Sequence, residues 1–257
     1  SNYASSGAGI YAGAKTSVTI TGGNIKYNYA SSYGGALYWK GATLSVNKLG
    51  STYGTLSYNR AVKGGAVYFD ADGNLTQAMM NNNQADNMGG AIYISGSKNV
   101  EINGAMKINS NETIGSNSYT ACGGGIYNAG NLTISGSVQM QSNTANGKSN
   151  NGWGGAIFNT SSLIITGAMT MDNNSAVSTG SGKTAYGGAI YNSGSITMSA
   201  GSIGSSTTNY VSAASAANAQ GGAIYVYGTA TISGTAYVKY GNSTKPNDIY
   251  LSSTGKT

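Results

Sequence analysis

The chain has no histidine, one cysteine and one proline, and only 8% of its 257 residues are charged. Without histidine, the commonest general base, the Ser-His-Asp triad and the most frequent metal ligand are all missing. Cys122 alone forms no internal disulfide and excludes a cysteine-rich zinc site, so stability must come from packing. A compact enzyme would carry about a quarter charged residues and roughly 7% glycine. This chain has far less charge and 41 glycines. Low charge with abundant Ser, Asn and Gly suggests disorder, but 20 tyrosines and 39% hydrophobic residues argue against it. No run approaches the roughly eighteen apolar residues of a membrane span, and no basic, apolar targeting segment precedes Ser1. The expectation is a processed protein or excised fragment, with no membrane insertion by this segment. The net charge of +6 comes from lysines scattered along the chain, with no nucleic-acid motif behind it.

What the chain does contain is a repeat. Gly-Gly-Ala-aliphatic-aromatic stands at 34–38, 64–68, 89–93, 154–158, 187–191 and 221–225, with a close variant at 123–127. Degenerate copies occur at Gly7-Ala8-Gly9-Ile10-Tyr11 and Asn247-Asp248-Ile249-Tyr250. Successive copies start 25 to 34 residues apart. Each unit continues with a short alternating segment, such as Val18 to Thr21, Leu132 to Ser135 or Ile196 to Ser199, whose period of two signals a strand. A third segment places an aliphatic residue three before an Asn: Ile25 and Asn28, Leu56 and Asn59, Met80 and Asn83, Ile108 and Asn111, Met140 and Asn143, Met171 and Asn174.

Three short strands per unit of about 30 residues, joined by Gly and Asn corners, describe a chain that coils so that each strand pairs with its equivalent one unit later. This is an all-β fold, a parallel β-helix, here of about eight coils in a single repeat domain spanning residues 1–257. At roughly 4.8 Å per coil the rod is about 38 Å long. A helical solenoid fails, since apolar residues at three- and four-residue spacing are missing and this density of glycine would unravel helices.

Variation between units concentrates between the Asn corner and the next Gly pair. Two or three residues follow Ala30, Ala61 and Ala85 there, whereas later units carry eight to ten: Ile114 to Cys122, Asn146 to Trp153, Val177 to Tyr186 and Ser212 to Gln220. Stacking puts these insertions on one edge of the rod, often the binding face of a repeat protein; free drift of Ser/Gly/Asn loops is the alternative.

Gly-Gly-Ala-Ile paired with apolar-x-x-Asn resembles the repeat of the chlamydial polymorphic outer membrane protein family and, more broadly, bacterial right-handed parallel β-helix surface proteins. The resemblance covers nearly the whole chain. It departs in two ways: the family's Phe before x-x-Asn is here Ile, Leu or Met, and no membrane-barrel segment follows within these residues. The resemblance implies a right-handed β-helix, displayed extracellularly or at the cell surface as an autotransporter-type passenger used in adhesion, with no catalytic residues to carry over.

The residue columns carry their own expectations. If the aliphatic residue of Gly-Gly-Ala-Ile-Tyr faces the core, Ala and Tyr turn outward. Tyr11, Tyr38, Tyr68, Tyr93, Tyr127, Phe158, Tyr191, Tyr225 and Tyr250 then form an aromatic column, a structural stack or, with Trp153 and Tyr186 nearby, a platform for sugars or a partner. The glycine pairs suit a sharp corner and are not phosphate loops, because no helix start or Lys-Ser/Thr follows. Asn28, Asn59, Asn83, Asn111, Asn143 and Asn174, extended by Asn209 and Asn242, fit a ladder of amide hydrogen bonds between coils. The middle strand offers outward hydroxyls at Thr19/Thr21, Thr133/Ser135, Thr197/Ser199 and Thr231/Ser233, interrupted by Glu101 and Ile164. That column supports an ice-binding reading beside the simpler one that Thr suits strands.

Enzymes on β-helices need carboxylates gathered on one face together with a base. The seven acids are Asp70, Asp72, Asp86, Glu101, Glu112, Asp172 and Asp248; only the first two are close in sequence, and the single Arg60 has no obvious partner. No enzyme, cofactor or metal is expected. Asp70-Ala71-Asp72-Gly73-Asn74 resembles a calcium loop but lacks a distal bidentate Glu, and reads as a turn.

Ser1 to Ser6 matches Tyr27 to Ser32, so the chain begins inside a coil, and it stops inside one after Tyr250 and Leu251. Pro246-Asn247-Asp248 is the sole hint of a terminating coil. Open ends expose strands, which suggests a stretch of a longer surface protein or a unit that stacks into a fibre. The expected function is a non-enzymatic surface or secreted protein binding a protein or glycan through its loops or aromatic column. Alternatives are an extracellular fibre of end-to-end copies and an ice-binding protein.

Overall fold

The computed structural model describes residues 1–116, 118–239 and 248–252. It is a parallel β-solenoid of about seven turns. At the start, Tyr3–Ser6 pairs with Tyr29–Tyr33, and Ile249–Leu251, beside Ile224–Val226, is the last described strand. Asn242, Pro246 and Asn247 lie outside the described residues. The one helical element among those described is a single 3-10 turn, Ala216–Asn218.

Each coil has four strands, one more than the three expected. On the first face lie Ile10–Ala12, Leu37–Trp39, Val67–Phe69, Ile92–Ile94, Ile126–Asn128, Ile157–Asn159, Ile190–Asn192, Ile224–Val226 and Ile249–Leu251, in register along the rod. The second face carries the alternating segments, as a pair (Ser17–Thr21 with Thr43–Asn47) and a six-stranded sheet running from Gly73–Leu75 to Thr229–Ile232. The third runs from Asn24–Lys26 to Tyr237–Val238. The unexpected fourth face follows the corner Asn: Tyr29–Tyr33, Arg60–Lys63 and Gln84–Met88 are unbroken there, whereas each later coil is split in two by its insertion. Thus Gln84–Met88 pairs with both Glu112–Ile114 and Ala121–Cys122. The inward side chains on this face are Ala30, Ala61, Ala85, Thr113, Ala145 and Ala176, too small or too polar to give the large-apolar alternation by which a strand is read.

The core is a set of aliphatic stacks. Leu37, Val67, Ile92, Ile126, Ile157, Ile190 and Ile224 lie one above another on the first face; Val46, Leu75, Ile102, Ile134, Ile165 and Met198 on the second; Leu56, Met80, Ile108, Met140, Met171 and Ile203 on the third. All are fully buried, and each such side chain contributes about 1.5–3 kcal/mol through its removal from water. The alanines of Gly-Gly-Ala were expected to point outward. Instead Ala36, Ala66, Ala91, Ala156, Ala189 and Ala223 are fully buried in the same core. Pleat alternation starts only at the aliphatic residue, because the three preceding residues form a corner in which the first glycine is left-handed, as at Gly89 (φ 66°). The second glycine meets a different demand: a Cβ on Gly90 would overlap the Gly124 carbonyl of the next coil.

At the corner between the third and fourth faces, amides run along the rod. In every coil from Asn28 to Asn174, the Asn backbone N–H and Nδ2 both donate to Oδ1 of the next Asn; for Asn111 and Asn143 the distances are 3.1 and 2.9 Å. Among the described residues the ladder runs from Asn2 to Asn209. A second bond from Nδ2 goes to the carbonyl of the apolar residue in the preceding coil, as from Asn143 to Ile108 at 2.7 Å. The amides are buried and satisfied. The residue before each Asn turns the chain through the left-handed region: Tyr27, Tyr58, Asn82, Ser110, Ser142 and Asn173 have φ of 54–59°. That conformation costs about 1–2 kcal/mol in a non-glycine residue, which the ladder offsets.

A second ladder was not anticipated. The inward residue after the first-face aromatic is Trp39, Phe69 and Ile94 in successive coils, then Asn128, Asn159 and Asn192, then Val226. Asn128 Nδ2 donates to Asn159 Oδ1, and Asn159 Nδ2 to Asn192 Oδ1, both at 2.7 Å. The Ile-Tyr/Phe-Asn triplet in three consecutive copies was its sequence signal.

Two substitutions test these corners. Asn143→Ala should lower unfolding free energy in urea by about 1–3 kcal/mol, since it strands the amide of Asn111; an unchanged midpoint would contradict the ladder's role. Gly90→Ala should prevent accumulation of folded protein, while Gly96→Ala, at an exposed turn where an added Cβ meets only ordinary contact, should leave expression and melting unchanged.

Candidate functional site

The aromatic residues of the first face form one stack of nine rings from Tyr11 to Tyr250. Successive centroids lie 4.7–5.5 Å apart and neighbouring planes differ by 5–16°. The spacing follows from in-register parallel strands, which place like rings about 4.8 Å apart. The ring faces are therefore spent on one another. Further contacts to the rings come from residues that precede a glycine pair. Tyr33 lies against Tyr68, Lys63 Nζ sits 5.2 Å from the Tyr93 ring, Trp153 packs on Tyr191 and Phe158, and Tyr186 on Tyr225 at 4.2 Å. Trp153 is fixed further by donating Nε1–H to Thr184 Oγ1 at 2.9 Å. Tyr93, Phe158 and Tyr225 are buried as a result. Sequence reasoning singled out Trp153 and Tyr186 from this covering column but missed Tyr33, Lys63, Met88 and Cys122, whose shared position before Gly was the available signal.

Burial raises the phenol pKa of Tyr38, Tyr68, Tyr93, Tyr127 and Tyr225, and pushes that of Tyr191 up to about 12. For Tyr38 a hydrogen bond to Asp70 Oδ2, 2.8 Å long, acts in the same direction. Burial also pushes the Cys122 thiol up, which keeps it in the unreactive neutral form.

On the fourth face the insertions form a ledge in which each loop is bonded to the next. Gly115 N–H donates to Asn146 O at 2.8 Å, Gly147 N–H to Val177 O at 2.7 Å, and Ser178 N–H to Ser212 O at 2.8 Å. Further out, Thr179 N–H reaches Lys148 O at 2.8 Å and Ser178 Oγ reaches Asn150 O at 2.7 Å. Asn151 Oδ1 accepts from Thr184 N–H at 2.9 Å. In the structure these loops continue the solenoid's stacking beyond its body.

The carboxylates are spread over the rod, and each has a partner. Asp70 pairs with Lys40 at 3.6 Å besides Tyr38, Asp172 accepts from Ser206 N–H at 2.9 Å, and Asp248 from Gly222 N–H at 2.7 Å. Glu101 accepts from Ser135 Oγ, and Glu112 from Asn146 Nδ2. Arg60, without an evident partner in the sequence, donates Nε–H and Nη2–H to Asp86 Oδ1 at 3.0 and 2.8 Å; the acid is one coil away and so invisible in linear spacing. Asp72 precedes a strand of the second face and accepts from Asn99 N–H at 2.8 Å and Nδ2 at 3.1 Å, bonds that hold its carboxyl below the usual range. With Asn74, Glu101, Asn131 and Thr133 it lines a shallow polar trough of about 510 Å³. The outward column through this trough reads Asn74, Glu101, Thr133, Ile164, Thr197, Thr231, so the hydroxyls are not continuous.

A family model described as the Chlamydia polymorphic membrane protein (Chlamydia_PMP) repeat matches residues 79–95 and 168–193. Both segments contain the apolar-x-x-Asn corner and Gly-Gly-Ala-Ile-Tyr, the parts that build the amide ladder and the aromatic stack. No curated protein and no solved structure matches the chain. The matched family is associated with the outer membrane and cell surface, which supports a cell-surface location in general.

The covered stack predicts an alkaline transition. A phenol whose pKa is higher folded than unfolded favours the folded state fully below the unfolded value of about 10, and this advantage is lost as pH rises toward the folded value. The tyrosinate absorbance contributed by these six phenols should appear together with loss of β-type circular dichroism as pH rises above about 10. Ionisation of all 20 tyrosines below pH 11 with the fold intact would contradict the packing.

Proposed function

We propose that this chain is a non-enzymatic, surface-displayed β-solenoid of passenger type that attaches its cell to other surfaces through the loop ledge of the fourth face. The hydrogen-bonded ledge carries this reading. Loops ordered by one another before contact lose little conformational entropy on binding, so an extended partner surface meets a preformed edge. The repeat match supports display at a cell surface. The dispersal of the carboxylates, each engaged in local bonding, supports a binding rather than a catalytic role. The aromatic stack serves the ledge by fixing the wall from which it projects.

The reading is tested with beads coated with the chain and washed over cultured epithelial cells. Retention should exceed that of uncoated beads several-fold. Deleting residues 115–120 and 147–151 joins Ile114 to Ala121 and Asn146 to Gly152, recreating in both coils the five-residue link of Gln84–Met88. That variant should keep its β-type spectrum and lose most of the retention. Beads retained no better than uncoated ones would reject attachment, and full retention by the deletion variant would move it away from the ledge.

A further inference from the structure

At its N-terminal step the stacking of the ledge stops. Each later loop is covered on its N-terminal side by the loop before it, but the first, leaving the fourth face at Gly115 and returning at Ala121, follows a coil with no insertion. It overhangs the unbroken strands Arg60–Lys63 and Gln84–Met88 and leaves a groove of about 390 Å³ beneath it. This is within the range of small-ligand sites, roughly 300–1,000 Å³.

The groove has three chemical surfaces. Val62 and Ile114 form an apolar floor. Tyr119, 56% exposed, lines it from the loop; exchange of backbone hydrogen bonds with Ser116, at 3.0 and 3.2 Å, fixes its position. Arg60 and Asp86 supply a preset donor and acceptor. The guanidinium is held by two bonds to Asp86 Oδ1 and lies 5.6 Å from the Tyr29 ring centroid, so Nη1 and Asp86 Oδ2 stay available for a ligand.

We propose that this groove binds a neutral hexopyranose unit of a surface glycan, which names the ligand of the ledge and rests on the attachment reading above. A pyranose offers an apolar C–H face beside adjacent hydroxyls. The face suits the tyrosine and the floor, and one hydroxyl pair matches a fixed N–H and a carboxylate oxygen. Charge decides against anionic ligands: Arg60 is already neutralised by Asp86, so a phosphate, sulfate or uronate would have to break that pair and face its carboxylate. A peptide's carbonyl and N–H would meet the ion pair, but an extended backbone has no flat C–H face to lay on Tyr119.

The test is a glycan array carrying neutral, sialylated, uronate and sulfated glycans, read with the intact chain, Tyr119→Ala, Asp86→Ala and a variant lacking residues 115–120. Deleting these six residues restores the five-residue link of an uninserted coil. The intact chain should retain neutral hexose-terminated glycans, and each variant should weaken that binding at least about tenfold with its far-UV spectrum and thermal midpoint preserved. If a point variant proves unstable, the loss must still be seen in the others. A silent array, a preference for charged glycans, or unchanged binding by Tyr119→Ala would overturn the proposal. Bead retention on cells alongside a silent array would reject the sugar groove and leave the attachment reading standing, whereas failure of both would remove the two together.

Discussion

In-register parallel stacking is the constraint on which everything else depends. Because each strand lies one spacing above its equivalent, any residue type fixed at one position repeats as a column, and the column must be able to pack or bond with itself. Only certain side chains meet that demand. Asn does, since an amide is both donor and acceptor and can pass its bond down the rod. Tyrosine does, since planar rings stack at the strand spacing. Branched aliphatics do, since they nest. Charged residues do not: like charges stacked at this distance repel. The chain's poverty in charge and its wealth of Asn, Tyr, Ile and Gly are the composition that such stacking selects.

Most of the architecture was legible for this reason. Gly-Gly-Ala-Ile-Tyr and apolar-x-x-Asn mark two of the four corners of a coil, and counting the interval between copies gives the turn. The fourth strand was not legible because its inward residues are alanines and, at Thr113, a threonine, which carry no recognisable hydrophobic period. The buried alanines after each glycine pair were assigned to the wrong side because alternation was extended through a corner that resets it. The Arg60–Asp86 pair escaped because its members are joined by stacking and not by sequence proximity. Each miss concerns what a coil does to its neighbour, information that a linear reading holds only in the repeat interval.

The candidate site shows the same division of labour. The aromatic column was open to two readings, a structural stack or a platform for a partner, and in the structure stacking consumes its ring faces. What remains for recognition is where the repeat is broken: at the inserted loops, and most of all at the step where they begin. Regularity builds the wall, and irregularity supplies the surface that can distinguish one partner from another.

The change of the inward column from Trp39, Phe69 and Ile94 to Asn128, Asn159 and Asn192 divides the rod into two blocks, and the insertions follow nearly the same division. Near-identical repeats invite unequal recombination, which adds or removes whole coils. Within either block a coil can be gained or lost while the inward column still meets side chains of like polarity. An exchange between blocks instead sets an amide inside a run of large apolar groups, or an indole among amides, and leaves a loop without a neighbour. The rod is thus free to lengthen inside each block but not to shuffle the two, so variation in length and conservation of the step between blocks can coexist in the same gene.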